Sequence, residues 1–155
     1  MPVEELFAAP GRTTAEPGEL LVRIGLPVQE NGMGSSYLRL EYRRQMEIAV
    51  VGATAAVVLD GGVVTTARIA ITALAPTIRR VADAEAALVG SDGGVDAAAA
   101  AAAAAAALPI SDVRASERYR RAMTAVIMRR AIEAAVARAR GEYVPAGPES
   151  NGGSA

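Results

Sequence analysis

Two runs of β-forming residues, 48–59 and 63–74, meet at Asp60-Gly61-Gly62, and no other feature of the sequence limits the fold as much. Asp-Gly between two such runs is a hairpin signal, because the turn needs φ > 0 and glycine reaches it without steric cost. In the second run Ile69 and Ile71 alternate with Ala70 and Thr72, the period of a strand. Upstream, "YLRLEY" (37–42) alternates as well, with Leu38 and Leu40 on one face and Arg39 and Glu41 on the other. "ELLVRIGLP" (19–27) is a further strand candidate, rich in branched residues and closed by proline. Residues 1–12 read as a short helical turn and a loop.

The second half is helical. "DAEAALVG" is a short helix stopped by Gly90. Asp96, a suitable N-cap, heads an unbroken alanine tract (97–107) that ends at Leu108-Pro109. Ser116 or a neighbour caps a last helix running to about Arg140. Its apolar arc joins Tyr119, Met123, Val126 and Ile127 to Met128, Ile132 and Val136, with Arg118, Arg121, Arg129 and Arg138 around it. The expected class is α+β: a small antiparallel sheet of three to four strands packed against a C-terminal group of about three helices. Residues 1–34 form a lead-in segment with one strand, 35–141 a domain, and 142–155 a Pro/Gly-rich disordered tail.

Apolar residues make up 52% of the 155, enough for a core, but aromatics make up only 3%, so that core must be built from Val, Ile, Leu and Ala. The 16 basic groups, all arginine, balance 17 acidic ones. That gives no global pull toward nucleic acid or an anionic membrane. With no Cys, His or Trp, the chain can make no disulfide, iron–sulfur cluster, thiolate zinc site or serine triad with an imidazole base. No catalytic set and no metal ligands are expected. Asp60, Asp83, Asp92 and Asp96 sit at turns or caps, and "VGSDGG" lacks the lysine of a phosphate loop and reads as a linker. The arginines of "RYRR" (118–121) could meet phosphate, but a solvated helix face is the plainer reading. The N-terminus carries acids and no apolar core of a signal peptide, and no window matches a membrane span of about 18 apolar residues. The expectation is a cytoplasmic protein without a membrane or nucleic-acid partner.

Three stretches in order resemble the flavoprotein (medium) subunits of molybdenum hydroxylases, the family of carbon monoxide dehydrogenase and xanthine dehydrogenase. "PGELLVRIGLP" is similar to that family's Pro-Gly-Glu strand. "YLRLEYRRQMEIAVVGATAAV" is similar to its segment of tyrosine, lysine, paired arginines and aspartate before "IA". "ISDVRASERYRRAM" is similar to its D-x-R-x-S-x-x-Y-R-R entry to the last helix. The resemblance implies the C-terminal domain of an FAD-binding subunit, which closes over a flavin held by a glycine-rich N-terminal part with no counterpart here. It places Leu21 near the isoalloxazine and Arg39 where the family carries lysine, and Arg is not a neutral exchange for Lys. Glu47 stands for the family's aspartate, as either a turn contact or a flavin-side contact. Arg43 and Arg44 match the paired arginines, as structural or interface residues.

The implied role is an FAD-associated domain of a molybdenum-hydroxylase-type oxidoreductase. It would help form the flavin pocket and dock to an FAD-binding domain or chain, a molybdenum-cofactor large subunit and a 2Fe-2S small subunit. It would not do the substrate chemistry, and it would not hold FAD alone. The alternative is an orphan, non-enzymatic protein-interaction domain that has lost flavin binding.

Overall fold

A computed structural model describes residues 1–43, 46–93 and 97–145, with backbone only at 97 and 98. The expectations on Arg44, on Asp96 as an N-cap and on the tail beyond 145 concern residues outside that description. Val3–Glu5 form a 3-10 turn, and Phe7–Ala9 (β1) and Arg12–Thr13 (β2) form a small hairpin where the sequence suggests loop. The main sheet comprises β3 (Met33–Leu40), β4 (Val51–Asp60), β5 (Val63–Thr72) and β6 (Arg79–Arg80), antiparallel in the order β3-β4-β5-β6. Three helices follow: α1 (Ala82–Leu88), α2 (Ala97–Ala106) and α3 (Glu117–Ala139). The fold is the expected α+β arrangement, a sheet against a C-terminal helical group.

The β4–β5 hairpin forms where the sequence places it, and Gly61 and Gly62 carry φ of 58° and 85°. Each main strand is two-faced. Gly34, Ser36, Leu38 and Leu40 of β3 lie in register with Val57, Ala55, Ala53 and Val51 of β4, and these in turn adjoin Ala67, Ile69 and Ile71 of β5. This inner face meets the helices. α3 packs on β3 and β4, α1 on β5, and α2 lies between α1 and α3. The largest fully buried side chains include Ile69, Ile71, Leu74, Leu88, Met128 and Ile132. Alanine contributes by letting elements approach: Ala99, Ala103 and Ala107 bury one row of the alanine tract, and Ala131 and Ala135 do so on α3.

Two expectations are corrected. Residues 19–27 form no strand, because no described strand lies alongside to pair with them and a ladder needs a partner. On α3 the buried stripe runs through Arg120, Thr124, Ile127, Met128, Ala131, Ile132, Ala135 and Val136, whereas Tyr119 is exposed. The stripe turns through small and polar positions that a count of large apolar residues passes over. The linker that "VGSDGG" is read as is held in place at its described residues. The Ser91 carbonyl accepts from Val64 N–H and Gly90 N–H donates to Val64 C=O, both at 2.8 Å, and a Cβ on Gly93 would meet Val136 Cγ1 at 2.9 Å.

The β3 and α3 backbones approach tightly at Gly34, where a Cβ would lie 2.0 Å from the Ala135 carbonyl oxygen and 2.4 Å from Ala139 N. Both neighbours are helix backbone and cannot rotate aside. Gly34→Ala should therefore force the strand off the helix and cost about 2–3 kcal/mol, the upper part of the overpacking range. Urea unfolding followed by circular dichroism measures this; a change under about 0.5 kcal/mol, the size of a surface substitution, would refute it.

Candidate functional site

The sheet's other face turns away from the helices. Ser35, Tyr37 and Arg39 of β3 lie in register with Ala56, Thr54 and Gly52 of β4, and these with Arg68, Ala70 and Thr72 of β5. Most of these side chains are small or polar, so the face is shallow. Tyr37 lies over Gly52: a Cβ there would meet the Tyr37 hydroxyl at 3.0 Å, its Cε2 at 3.3 Å and Thr72 Oγ1 at 2.4 Å. Glycine at 52 thus gives the tyrosine ring its seat, and the half-exposed ring offers an aromatic platform. Arg39 stands beside it, opposite Leu38 and Leu40 as the alternation indicates, with its Nε 2.6 Å from Glu41 Oε2. Arg39 and Glu41 also line an open cleft of about 810 Å³ along the free edge of β3. Its apolar lining includes Leu38, Leu40 and Ile127, and Arg130 and Glu133 stand on its α3 side. Leu21 does not line this cleft and is 71% exposed, so the chain by itself does not bring Leu21 and Arg39 together there.

The two arginine motifs meet at one end of the molecule. Arg120, 4% exposed, donates from Nη1 to the Val50 carbonyl at 2.7 Å and the Ala73 carbonyl at 3.5 Å, and from Nη2 to Asp112 Oδ1 at 2.8 Å. Its Nε is buried without a partner. Arg121 donates to the Ala104 and Ala107 carbonyls at 3.2 and 2.9 Å, capping the C-terminal end of α2 where the helix dipole favours a cation. Ser116 caps α3, accepting from Tyr119 N–H at 3.2 Å. The solvated-face reading therefore fails for Arg120, which is buried, and holds for the exposed Arg118, while Arg121, part-exposed, also holds a neighbouring helix. Arg138 also does more than decorate α3. It donates to the Ser35 carbonyl on β3 at 2.7 Å and to the Val144 carbonyl at 3.1 Å, fixing the start of the tail.

Glu47 makes a turn contact. Its carboxylate accepts from Arg43 Nε at 3.1 Å and from Ile48 N–H at 3.0 Å, and lies 3.9 Å from Arg114 Nε. The Arg43 hydrogen bond is the main cause of a Glu47 pKa below the usual carboxylate value. Tyr42 donates its hydroxyl proton to the Arg114 carbonyl, so the connector after β3 is clasped to the loop before α3. Arg43 thus makes a structural contact within this connector, donating also to the Met46 carbonyl at 3.2 Å, while its side chain stays 70% exposed. Met46, in this connector, and Ala73, just after β5, hold φ of 50° and 60°, a strained setting for residues with a Cβ.

Among the described residues no group of three or more His, Cys, Asp or Glu is placed to hold a metal, and no helix is long and apolar enough to cross a membrane. A model of the CO dehydrogenase flavoprotein C-terminal domain matches residues 36–135. The chain is 39% identical over 130 residues to the carbon monoxide dehydrogenase medium chain of Afipia carboxidovorans, covering 83% of this chain and 45% of that one. It is 33% identical over 140 residues to the medium chain of Hydrogenophaga pseudoflava, covering 89% and 48%. It superposes on the H. pseudoflava carbon monoxide dehydrogenase lacking the Mo-pyranopterin moiety with a TM-score of 0.81 at 36% identity, over 87% of this chain and 47% of that one. On quinoline 2-oxidoreductase from Pseudomonas putida 86 the TM-score is 0.77 at 29% identity, over 88% and 47%. The chain thus spans about half the length of the relatives it matches. Of 155 residues, 89% is about 138, so at most about 17 lie outside the H. pseudoflava match, which must take in residues 20–28.

Asp112 titrates as its partners dictate. The Arg120 guanidinium, then the Arg114 backbone N–H, pull its pKa down to about 2. A carboxyl depressed in the folded state adds stability above its unfolded value of about 3.9 and loses it as pH falls through about 2. Asp112→Asn should therefore be less stable than the parent at pH 6, with the difference shrinking between about pH 4 and 2. Parallel urea titrations at several pH values measure this, and a pH-independent difference would refute it. Arg120→Met should destabilise by about 1–3 kcal/mol at neutral pH by leaving the Val50 carbonyl without its donor.

Proposed function

The chain belongs to the CO dehydrogenase flavoprotein C-terminal domain family, and we propose that it forms one wall of a flavin pocket in a molybdenum-hydroxylase-type oxidoreductase. The observation that carries this reading is the Tyr37–Arg39 pair on the outer sheet face, an aromatic platform with a cation beside it over a floor of small residues. A planar ring system suits such a face. The fit is partial, as one wall should be: among the described residues no glycine-rich loop opens a helix to cradle a pyrophosphate. FAD would be held jointly with a glycine-rich FAD-binding domain or chain, and bound there it would supply one- and two-electron redox chemistry.

What this chain contributes is position and charge. Tyr37 presents its ring because Gly52 leaves room beneath it. Arg39 places a guanidinium where negative charge on a reduced flavin would be favoured, the kind of tuning a protein supplies to its cofactor. Glu41, with Oε2 2.6 Å from Arg39 Nε, offsets part of that charge. Leu21 would reach the pocket only when residues 19–27 are held by the FAD-binding part. The remaining partners in this reading are the molybdenum-cofactor large subunit, where substrate is oxidised, and the 2Fe-2S small subunit that relays electrons. The setting is the cytoplasm.

Co-expressing the chain with the FAD-binding part of the A. carboxidovorans medium chain tests the reading. The chain alone should take up no FAD, and the pair should bind it. Arg39→Ala in the pair should weaken FAD about tenfold, the loss of one hydrogen bond to a charged group, and shift the flavin absorbance. Unchanged affinity and spectra would return Arg39 to an ordinary strand edge. Absence of FAD from a pair that does form would favour a non-enzymatic interaction domain.

A further inference from the structure

The feature least accounted for within the chain is the stretch 20–28. Leu20, Val22, Ile24, Leu26 and Val28 alternate with Leu21, Arg23, Gly25 and Pro27, an apolar stripe of strand period. Every member of that stripe is between 71% and 92% exposed. Among the described residues no hydrogen bond reaches the backbone of 20–28. A chain that aligns this much apolar surface on one side of an unpaired backbone has a complete strand except for its neighbours.

We propose that residues 20–28 add as a strand to a sheet of the FAD-binding half of the subunit, burying Leu20, Val22, Ile24, Leu26 and Val28 in that half's core. The inference rests on the reading of this chain as half of a flavoprotein subunit and names the contact that joins the halves. The occupant follows from where the stretch lies. It precedes residue 36, where the match to the C-terminal domain family begins, yet falls inside the span shared with the medium chains. Those relatives carry about as much chain again outside the match. Elements 33–139 bury their own inner face without the stretch, and although Pro27 and Val28 border a small hollow beside Ala56 and Arg68 on the outer face, the stripe stays 71–92% exposed, which leaves its cover to the unmatched half. An added strand satisfies both needs, the backbone through main-chain hydrogen bonds and the stripe through side-chain pockets. Pro27, which has no N–H to donate, suits the strand's end. Leu21 and Arg23 stay on the opposite face, so the leucine that the family resemblance places near the isoalloxazine is left free to face it.

Hydrogen–deuterium exchange across residues 20–28 tests this. In the 155-residue chain alone these amides should exchange as an unfolded peptide does, and trypsin should cut after Arg23 before cutting within 33–139. Co-expressed with the FAD-binding half of the A. carboxidovorans medium chain, the amides should slow by at least about a hundredfold. Fast exchange in a co-purified pair overturns the inference and leaves the flavin reading to Arg39→Ala. Slow exchange with no FAD bound does the reverse. Protection in the chain alone that grows with concentration also overturns it, in favour of a second copy of this chain. The pair Val22→Asp and Ile24→Asp should cut co-purification at least about tenfold without altering the chain's circular dichroism, while Arg23→Ala should not. Should the separate half fail to fold, a single polypeptide with this chain replacing the matched region of that medium chain gives the same readout. Unprotected 20–28 amides there would overturn the proposal.

Discussion

The buried guanidinium of Arg120 is the constraint around which the rest is arranged. A charge taken from water is costly unless it is paired and hydrogen-bonded. Here the pairing draws on three separate stretches: the carbonyl before β4, the carbonyl after β5, and the Asp112 carboxylate in the loop before α3. The sheet's end and the helix's start are thereby referred to one planar fork, whose fixed donor directions a lysine could not reproduce. Arg121 extends the arrangement to the end of α2, and Thr124 donates its hydroxyl to the Arg120 carbonyl one turn on. The clasp of Glu47, Arg43 and Arg114 closes the neighbouring connector. Motif residues that look like a binding patch in the sequence are the joint between sheet and helices.

This joint divides the molecule into a self-sufficient side and a dependent one. The inner sheet face, the alanine row of α2 and the α3 stripe exclude water from a continuous core. The outer sheet face and the lead-in stretch do not. Positions 37 and 39, on the free edge strand, lie where a second body can approach without disturbing that core.

The hairpin, the α3 cap and the class of fold were legible because each has a local cause: Gly61 and Gly62 at positive φ, Ser116 bonding Tyr119, and two-residue alternation in β3. The function of Arg120 was not legible, since nothing nearby in sequence marks an arginine for burial; its main partner, Val50, lies 70 residues away. The platform at Tyr37 was missed for a related reason, as Gly52 beneath it is set opposite by sheet register rather than by spacing. The strand expected at 19–27 failed in an informative way. Its pattern is that of a strand, and what it lacks is a partner, which no property of the stretch itself can provide.

There is no tryptophan, the four tyrosines are Tyr37, Tyr42, Tyr119 and Tyr143, and all four, like Phe7, lie on the surface. Intrinsic ultraviolet emission therefore comes from the periphery and is nearly blind to the packed interior. It is sensitive instead to whatever covers the outer sheet face, where Tyr37 sits. Association and loss of structure mix in the signal of most proteins of this size, but in this chain they separate by wavelength: ring emission follows the first, backbone absorption the second.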